Sequence, residues 1–305
     1  MKIGIPVAQF HPGNTAEYVC SALAELGHEA VILAPAQFYR DLKEQRCDLF
    51  FCVDSGEPLN MAEASIAQLP LDRVAFWFID YRHNKDRLTR TPPDAETARA
   101  LQQRGGWIFQ SQYEDQQDCL GQGMTRVSWL PLAADPKVWS DTPIVPKDFH
   151  LGFVGNVWDA GRKQVLELLL RTAGLKFGFQ GHGKAWKEDG AALLRRCLVG
   201  FNISSFYGQP VAFDINMRVF ETLSCAVPLF TNSVPALKRL FPEPVPFVRT
   251  YDSIETLIPR LREALSDPTF VRSGALGREY ILKNATYTAR MCEAITVLQG
   301  AGVVG

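Results

Sequence analysis

Short apolar runs rich in valine, isoleucine and phenylalanine alternate along the chain with helix-length amphipathic segments. The run at 2–7 reads as a strand and 14–26 as a helix that Gly27 stops. Strands are expected at 30–33 and 48–53 around a helix near 37–44, then at 74–79, 107–110 and 127–130, with a helix through 94–104. Such alternation predicts βαβ units and a mostly parallel sheet. Residues 131–146 break the pattern, carrying Pro131, Pro136, Pro143 and Pro146 with little periodicity, as a linker does. The pattern then restarts with a strand at 151–154, a helix at 163–172, strands at 176–180 and 199–203, a helix at 217–224 and a strand at 228–231. Helices at 253–265, 268–282 and 288–298 close the chain.

The expected architecture is α/β, with two Rossmann-like domains facing each other across a cleft. Their bounds are 1–146 and 147–283, and the terminal helix in 284–305 is able to cross back onto the first domain. Ligands of open α/β sheets bind outside the carboxyl ends of the strands, so the cleft is the expected site.

Composition narrows the partners. With 47% hydrophobic and 21% charged residues the chain is that of a folded protein rather than a disordered one. A net charge of -1 supplies no global field towards nucleic acid or an anionic membrane, so no nucleic-acid partner is expected. The seven cysteines are odd in number and lack metal-ligand spacing, which argues against a zinc site or a disulfide framework. No apolar stretch approaches the roughly 18 residues of a membrane span, and 1–6 reads as a strand too short for a signal peptide. A reduced, cytoplasmic protein without a transmembrane segment is expected.

Five segments carry candidate chemistry. The loop after the first strand lacks the GxGxxG spacing of a dinucleotide fingerprint, but Gly13 and Asn14 open a helix whose N–H groups can face a phosphate or sugar hydroxyl. A plain N-cap by Asn14 or Thr15 fits the same residues. The second domain opens with Phe153-Val154-Gly155-Asn156, where glycine lets a ligand approach backbone N–H groups. Arg162 and Lys163 follow at the start of a helix, a place where cations oppose the dipole unless an anion compensates. A diphosphate fits there, as does a solvated basic pair.

The helix at 217–224 places Arg218 and Glu221 three residues apart, hence side by side. Such a carboxylate can accept ribose hydroxyls while the arginine meets a diphosphate, or the two can form an ordinary surface ion pair. Asp80 lies at the carboxyl end of a fully apolar strand, as a general base, a sugar ligand or a turn aspartate. His182 stands between Gly181 and Gly183 after another strand, and His11 and His83 are weaker candidates. Trp107, Trp129, Trp139 and Trp186 show no repeated spacing and read as packing residues.

Taken in order, Trp129-Leu130-Pro131-Leu132-Ala133-Ala134-Asp135-Pro136, Phe153-Val154-Gly155-Asn156 and Arg218-Val219-Phe220-Glu221-Thr222-Leu223-Ser224-Cys225-Ala226-Val227-Pro228 resemble the GT-B glycosyltransferases. The likeness is to the short bacterial group related to the spore-maturation CgeB proteins and to the wider GT4 family, and it spans essentially the whole chain. It implies transfer of a sugar from a nucleotide-diphosphate donor to a glycan, protein or small-molecule acceptor, with no cofactor. It places the ribose on Glu221, the diphosphate among Arg218, Arg162 and Lys163, and the nucleotide against Gly155 and Asn156. The region of Asp80 would face the donor sugar or acceptor.

The chain departs from that pattern at one point. The family carries two glutamates seven residues apart, and the partner position of Glu221 is Phe213, with Asp214 one residue off register. Asp214 either takes that catalytic part or caps the helix. No Asp-x-Asp metal motif is present, so metal-independent transfer is expected. A nucleotide-sugar epimerase and a non-catalytic nucleotide-sugar-binding protein are the alternatives.

Overall fold

The computed structural model describes residues 1–7, 14–53, 70–79, 95–157, 160–181, 186–204 and 215–305. Gly13, Asp80, His182 and Asp214, together with His11 and His83, lie outside the described residues. The chain forms two compact units, one of 1–131 with 287–305 and one of 132–286.

The first unit is built on β1 (Lys2–Pro6), β2 (Glu29–Leu33), β3 (Leu49–Val53), β4 (Val74–Phe78), β5 (Trp107–Gln110) and β6 (Val127–Trp129). They form a parallel sheet in the order β2-β1-β3-β4-β5-β6. β3 and β4 are buried at every position, as a parallel sheet covered on both faces requires. Helices α1 (Thr15–Glu25), α2 (Pro35–Lys43), α3 (Ala95–Gln103) and α4 (Tyr113–Gly121) connect the strands. Asn14 caps α1 by accepting from the Glu17 N–H at 3.0 Å, the plain N-cap that its sequence position also fits.

The second unit carries β7 (Phe149–Val154), β8 (Phe177–Gln180), β9 (Cys197–Asn202), β10 (Leu229–Asn232) and β11 (Val248–Tyr251), again all parallel, in the order β11-β10-β9-β7-β8. Its connections run through α5 (Ala160–Arg171), α6 (Trp186–Arg195), α7 (Met217–Ser224), the short α8 (Leu237–Leu240), α9 (Ile254–Ser266), α10 (Pro268–Val271) and α11 (Gly274–Asn284). Phe153, Phe201, Phe230 and Tyr251 form an aromatic seam across the sheet, with Tyr251 5.4 Å from Phe230 and 5.9 Å from Phe201 between ring centroids.

Two boundaries differ from the sequence reading. The proline-rich stretch packs with the second unit rather than ending the first, because Trp139 is fully buried among Val154, Ala191, Leu194, Cys225 and Val227. The single helix expected at 268–282 is two, because the Ser273 hydroxyl closes the first turn by donating to the Phe270 and Pro246 carbonyls. The terminal helix α12 (Tyr287–Gly300) belongs to the first unit. Tyr287 stacks on Tyr18 at 5.0 Å, and the Thr288 hydroxyl donates to Glu25 at 2.6 Å.

In each sheet the strand order reverses once, between β1 and β3 and between β7 and β9. The crevice outside the strand ends at such a reversal is where open α/β sheets take ligands. In the second unit, residues 155–156 and 203–204 flank that point.

Candidate functional site

Asn156 and Arg162 meet at the ends of β7 and β9, next to Asn216 at the start of α7. Gly155 ends β7 with φ at +153°, a backbone state that side-chain-bearing residues rarely adopt. A Cβ there would stand 3.1 Å from the Phe153 ring, so only glycine lets the strand end lie this close. The next residue, Asn156, has a buried Oδ1 with no hydrogen-bond partner among the described residues. Burying an acceptor in that state is costly unless a ligand or water satisfies it.

Arg162, in the first turn of α5, is buried and reaches across this crevice. It donates from Nη1 to the Asn156 carbonyl at 2.8 Å and from Nη2 to the Ile203 carbonyl at 3.2 Å. The cation thus meets two carbonyl dipoles at the helix start, and the expected need for a compensating anion is answered within the fold. Arg162 laces β7 to β9 across the point of reversal. Lys163 points elsewhere: it is 68% exposed and sits 4.0 Å from Glu167 one turn on.

The Ile203 carbonyl also accepts from Asn216 Nδ2 at 3.2 Å. Asn216 is the N-cap of α7, its Oδ1 accepting from the Arg218 N–H at 3.1 Å. The capping role open to Asp214 in the sequence is therefore filled by Asn216. Val219, Phe220 and Leu223 bury the apolar side of α7, and Thr222 lies against Gly200 of β9, where a Cβ would come within 2.2 Å of its methyl group. This close seat brings Glu221 into the interior.

Glu221 is 1% exposed and forms an ion pair with Arg218, itself 12% exposed. The surface-pair reading fails on that burial. The Arg218 guanidinium lies 5.5 Å from the centroid of the Trp139 ring. Burial pushes the Glu221 carboxyl up to about 6, against the opposing pull of Arg218, its charged partner. Cys225, one turn further along, is pushed by burial to about 12 and stays a neutral thiol.

The sign of the resulting pH dependence follows from the raised value. Folded Glu221 binds its proton more tightly than the ordinary 4.5 of the unfolded chain, so its contribution to stability is full below about 4.5 and is lost as pH rises through about 6. Relative to Glu221→Gln, the wild-type protein should lose about 2 kcal/mol of stability between pH 4 and 7. Urea unfolding at several pH values measures this, and parallel profiles for the two proteins would contradict it.

Sequence reasoning passed over two features. One is Trp139, whose contact with Arg218 joins residues far apart in the chain. The other is a buried polar cluster at the ends of β9 and β10. There Asn232 donates to the Ser204 hydroxyl at 3.2 Å and accepts from the Ser204 N–H at 2.8 Å, while Asn202 donates to Thr231 at 3.0 Å. Asparagine and threonine ending otherwise apolar runs were the signal available in the sequence.

Among the described residues no helix is long and apolar enough to cross a membrane, and all seven cysteines are free.

Residues 147–296 match the glycosyl transferase-like family. Sucrose-phosphate synthase from Thermosynechococcus elongatus superposes with a TM-score of 0.65 at 12% identity, over 98% of this chain and 99% of that one. A glycosyltransferase of avilamycin A biosynthesis gives 0.63 at 14% identity, over 98% and 97%. An α-glucosyltransferase solved in complex with UDP gives 0.64 at 12% identity, over 98% and 100%. The fold is that of the GT-B glycosyltransferases. The family model matched by residues 147–296 is described as glycosyl transferase-like, and two of these three solved proteins are named as a glycosyltransferase and a glucosyltransferase. Curated proteins include no match to the sequence.

Proposed function

We propose that this GT-B protein transfers a hexosyl-type group from a nucleoside-diphosphate sugar to an acceptor, without a divalent metal, and that it is akin to the CgeB-like and GT4 enzymes. The buried Arg218–Glu221 pair beside the strand reversal of the second unit carries the reading. A buried ion pair is seldom more stable than apolar residues of equal volume, so its presence favours a binding role over a structural one. A carboxylate accepting two ribose hydroxyls and a guanidinium meeting a diphosphate use both partners.

Under this reading Glu221 orients the ribose, Arg218 meets the diphosphate, and the Asn156 Oδ1, unpartnered among the described residues, and the Gly155 backbone line the nucleotide pocket. Arg162 keeps the pocket wall in place rather than touching phosphate. Lys163 is left to long-range attraction, and Gly13 and His182 remain donor-side candidates. The bond that breaks joins the anomeric carbon to a diphosphate oxygen, and the departing diphosphate gains negative charge. Stabilising that charge next to Arg218 is the main contribution assigned to the second unit. The acceptor, which is a glycan, protein or small molecule, is assigned to the first unit with Asp80 as base or sugar ligand. Asp214 is the remaining candidate for the displaced glutamate.

The test is release of nucleoside diphosphate from UDP-, GDP- and dTDP-sugars, with and without candidate acceptors and with and without EDTA. Acceptor-dependent release that EDTA leaves intact is expected. Loss of turnover in EDTA contradicts metal independence. Release without an acceptor points to an epimerase, and binding without release to a non-catalytic receptor.

A further inference from the structure

Trp139 lies in the proline-bearing stretch before β7, yet it is fully buried. The indole packs against α6 at Gly190, where a Cβ would stand 3.0 Å from the ring edge. Over the ring lies the Arg218 guanidinium, 5.5 Å from its centroid. The Trp139 carbonyl accepts from the Ser224 hydroxyl at 2.6 Å, at the far end of the same helix α7. The Ser224 carbonyl in turn accepts from Arg278, which also pairs with Asp141 at 3.2 Å. The segment around Trp139 is therefore fastened to α7 near both ends, and α6 backs the indole.

We propose that Trp139 is the positioning residue of the donor site, holding the Arg218 guanidinium where the phosphates of a nucleoside diphosphate are bound. The inference rests on the donor-site reading above. An arginine side chain loses much rotamer freedom when fixed, and Glu221 tethers it from one side. An aromatic face attracts the cation without taking any of its N–H donors. A second carboxylate in place of the indole would neutralise the charge that the diphosphate needs. Gly190 belongs to the same device, because a side chain there would displace the ring.

The test uses the whole chain and calorimetric titration with UDP and GDP, with uridine and guanosine followed by ligand-detected NMR. Trp139→Leu is expected to weaken nucleoside-diphosphate binding by about five- to thirtyfold. Trp139→Phe, which keeps an aromatic face, should weaken it by only about two- to threefold. Nucleoside affinity should stay at the wild-type value, and in an Arg218→Met background Trp139→Leu should have no further effect on diphosphate binding. Wild-type diphosphate affinity in Trp139→Leu overturns the proposal. Equal losses for nucleoside and diphosphate, or an undiminished loss without Arg218, overturn it as well. Should Trp139→Leu not fold, the cycle of Trp139→Phe with Arg218→Met reads the same coupling. Failure of the wild-type protein to bind either diphosphate sinks the donor-site reading itself, a result distinct from wild-type binding that Trp139 does not affect.

Discussion

Replacing Arg218 with methionine should lower kcat by about two to three orders of magnitude, the usual loss when one preorganised charge is removed from a developing anion. The folded state should weaken too, by about 3 kcal/mol, because breaking a buried pair strands the other charge. Glu221 softens that cost. Arg218 supplies the influences that lower its carboxyl, and without them burial alone acts, so the group takes up a proton and is neutral at pH 7. The variant should therefore fold but lack both the cation for the diphosphate and the carboxylate for the ribose. Turnover at saturating donor and urea unfolding at pH 7 measure the two effects. A variant destabilised as expected but with wild-type kcat would place Arg218 in the architecture and outside the chemistry.

The second large effect belongs to Glu221. Its replacement by alanine should weaken nucleoside-diphosphate binding by about 1–3 kcal/mol, the worth of hydrogen bonds to a charged acceptor. The effect on stability should be smaller, because the wild-type carboxylate is itself held at a cost above pH 6. The Trp139 contact of Arg218 does not pass through Glu221 and should hold the guanidinium in this variant, which separates a lost ribose contact from a lost diphosphate contact.

The chain shows its architecture more openly than its site. The central strands are apolar throughout, and β3 and β4 bury every residue, so periodicity alone finds them. Helix α7 begins and ends where expected because Asn216 caps an amphipathic run that stops at Cys225. By contrast α4 gives no signal in the sequence: it buries only Asp115 and Cys119 and leaves Leu120 exposed, so it has no apolar stripe to read. β11, Val-Arg-Thr-Tyr, is a polar edge strand with the same deficiency.

Helix α5 starts earlier than expected because Gly161 masks its first turn, which Arg162 anchors through two carbonyls. Within the site, Arg218 and Glu221 were visible as neighbours on one helix. Their burial was not, because it depends on the close seat of Thr222 on Gly200 and on the indole brought in from residue 139. Arg162 shows the same gap from the other side. A cation at a helix start reads as an anion site until the facing carbonyls are known.

The most direct test of the account is a calorimetric titration of wild-type protein and Glu221→Ala with UDP and GDP and with their 2′-deoxy counterparts. Wild-type protein should bind at least one diphosphate and prefer the ribo form, and Glu221→Ala should bind it more weakly and lose that preference. Equal affinity of the two proteins for the ribo form, or a preference that survives the substitution, would contradict the claim that Glu221 holds the donor ribose.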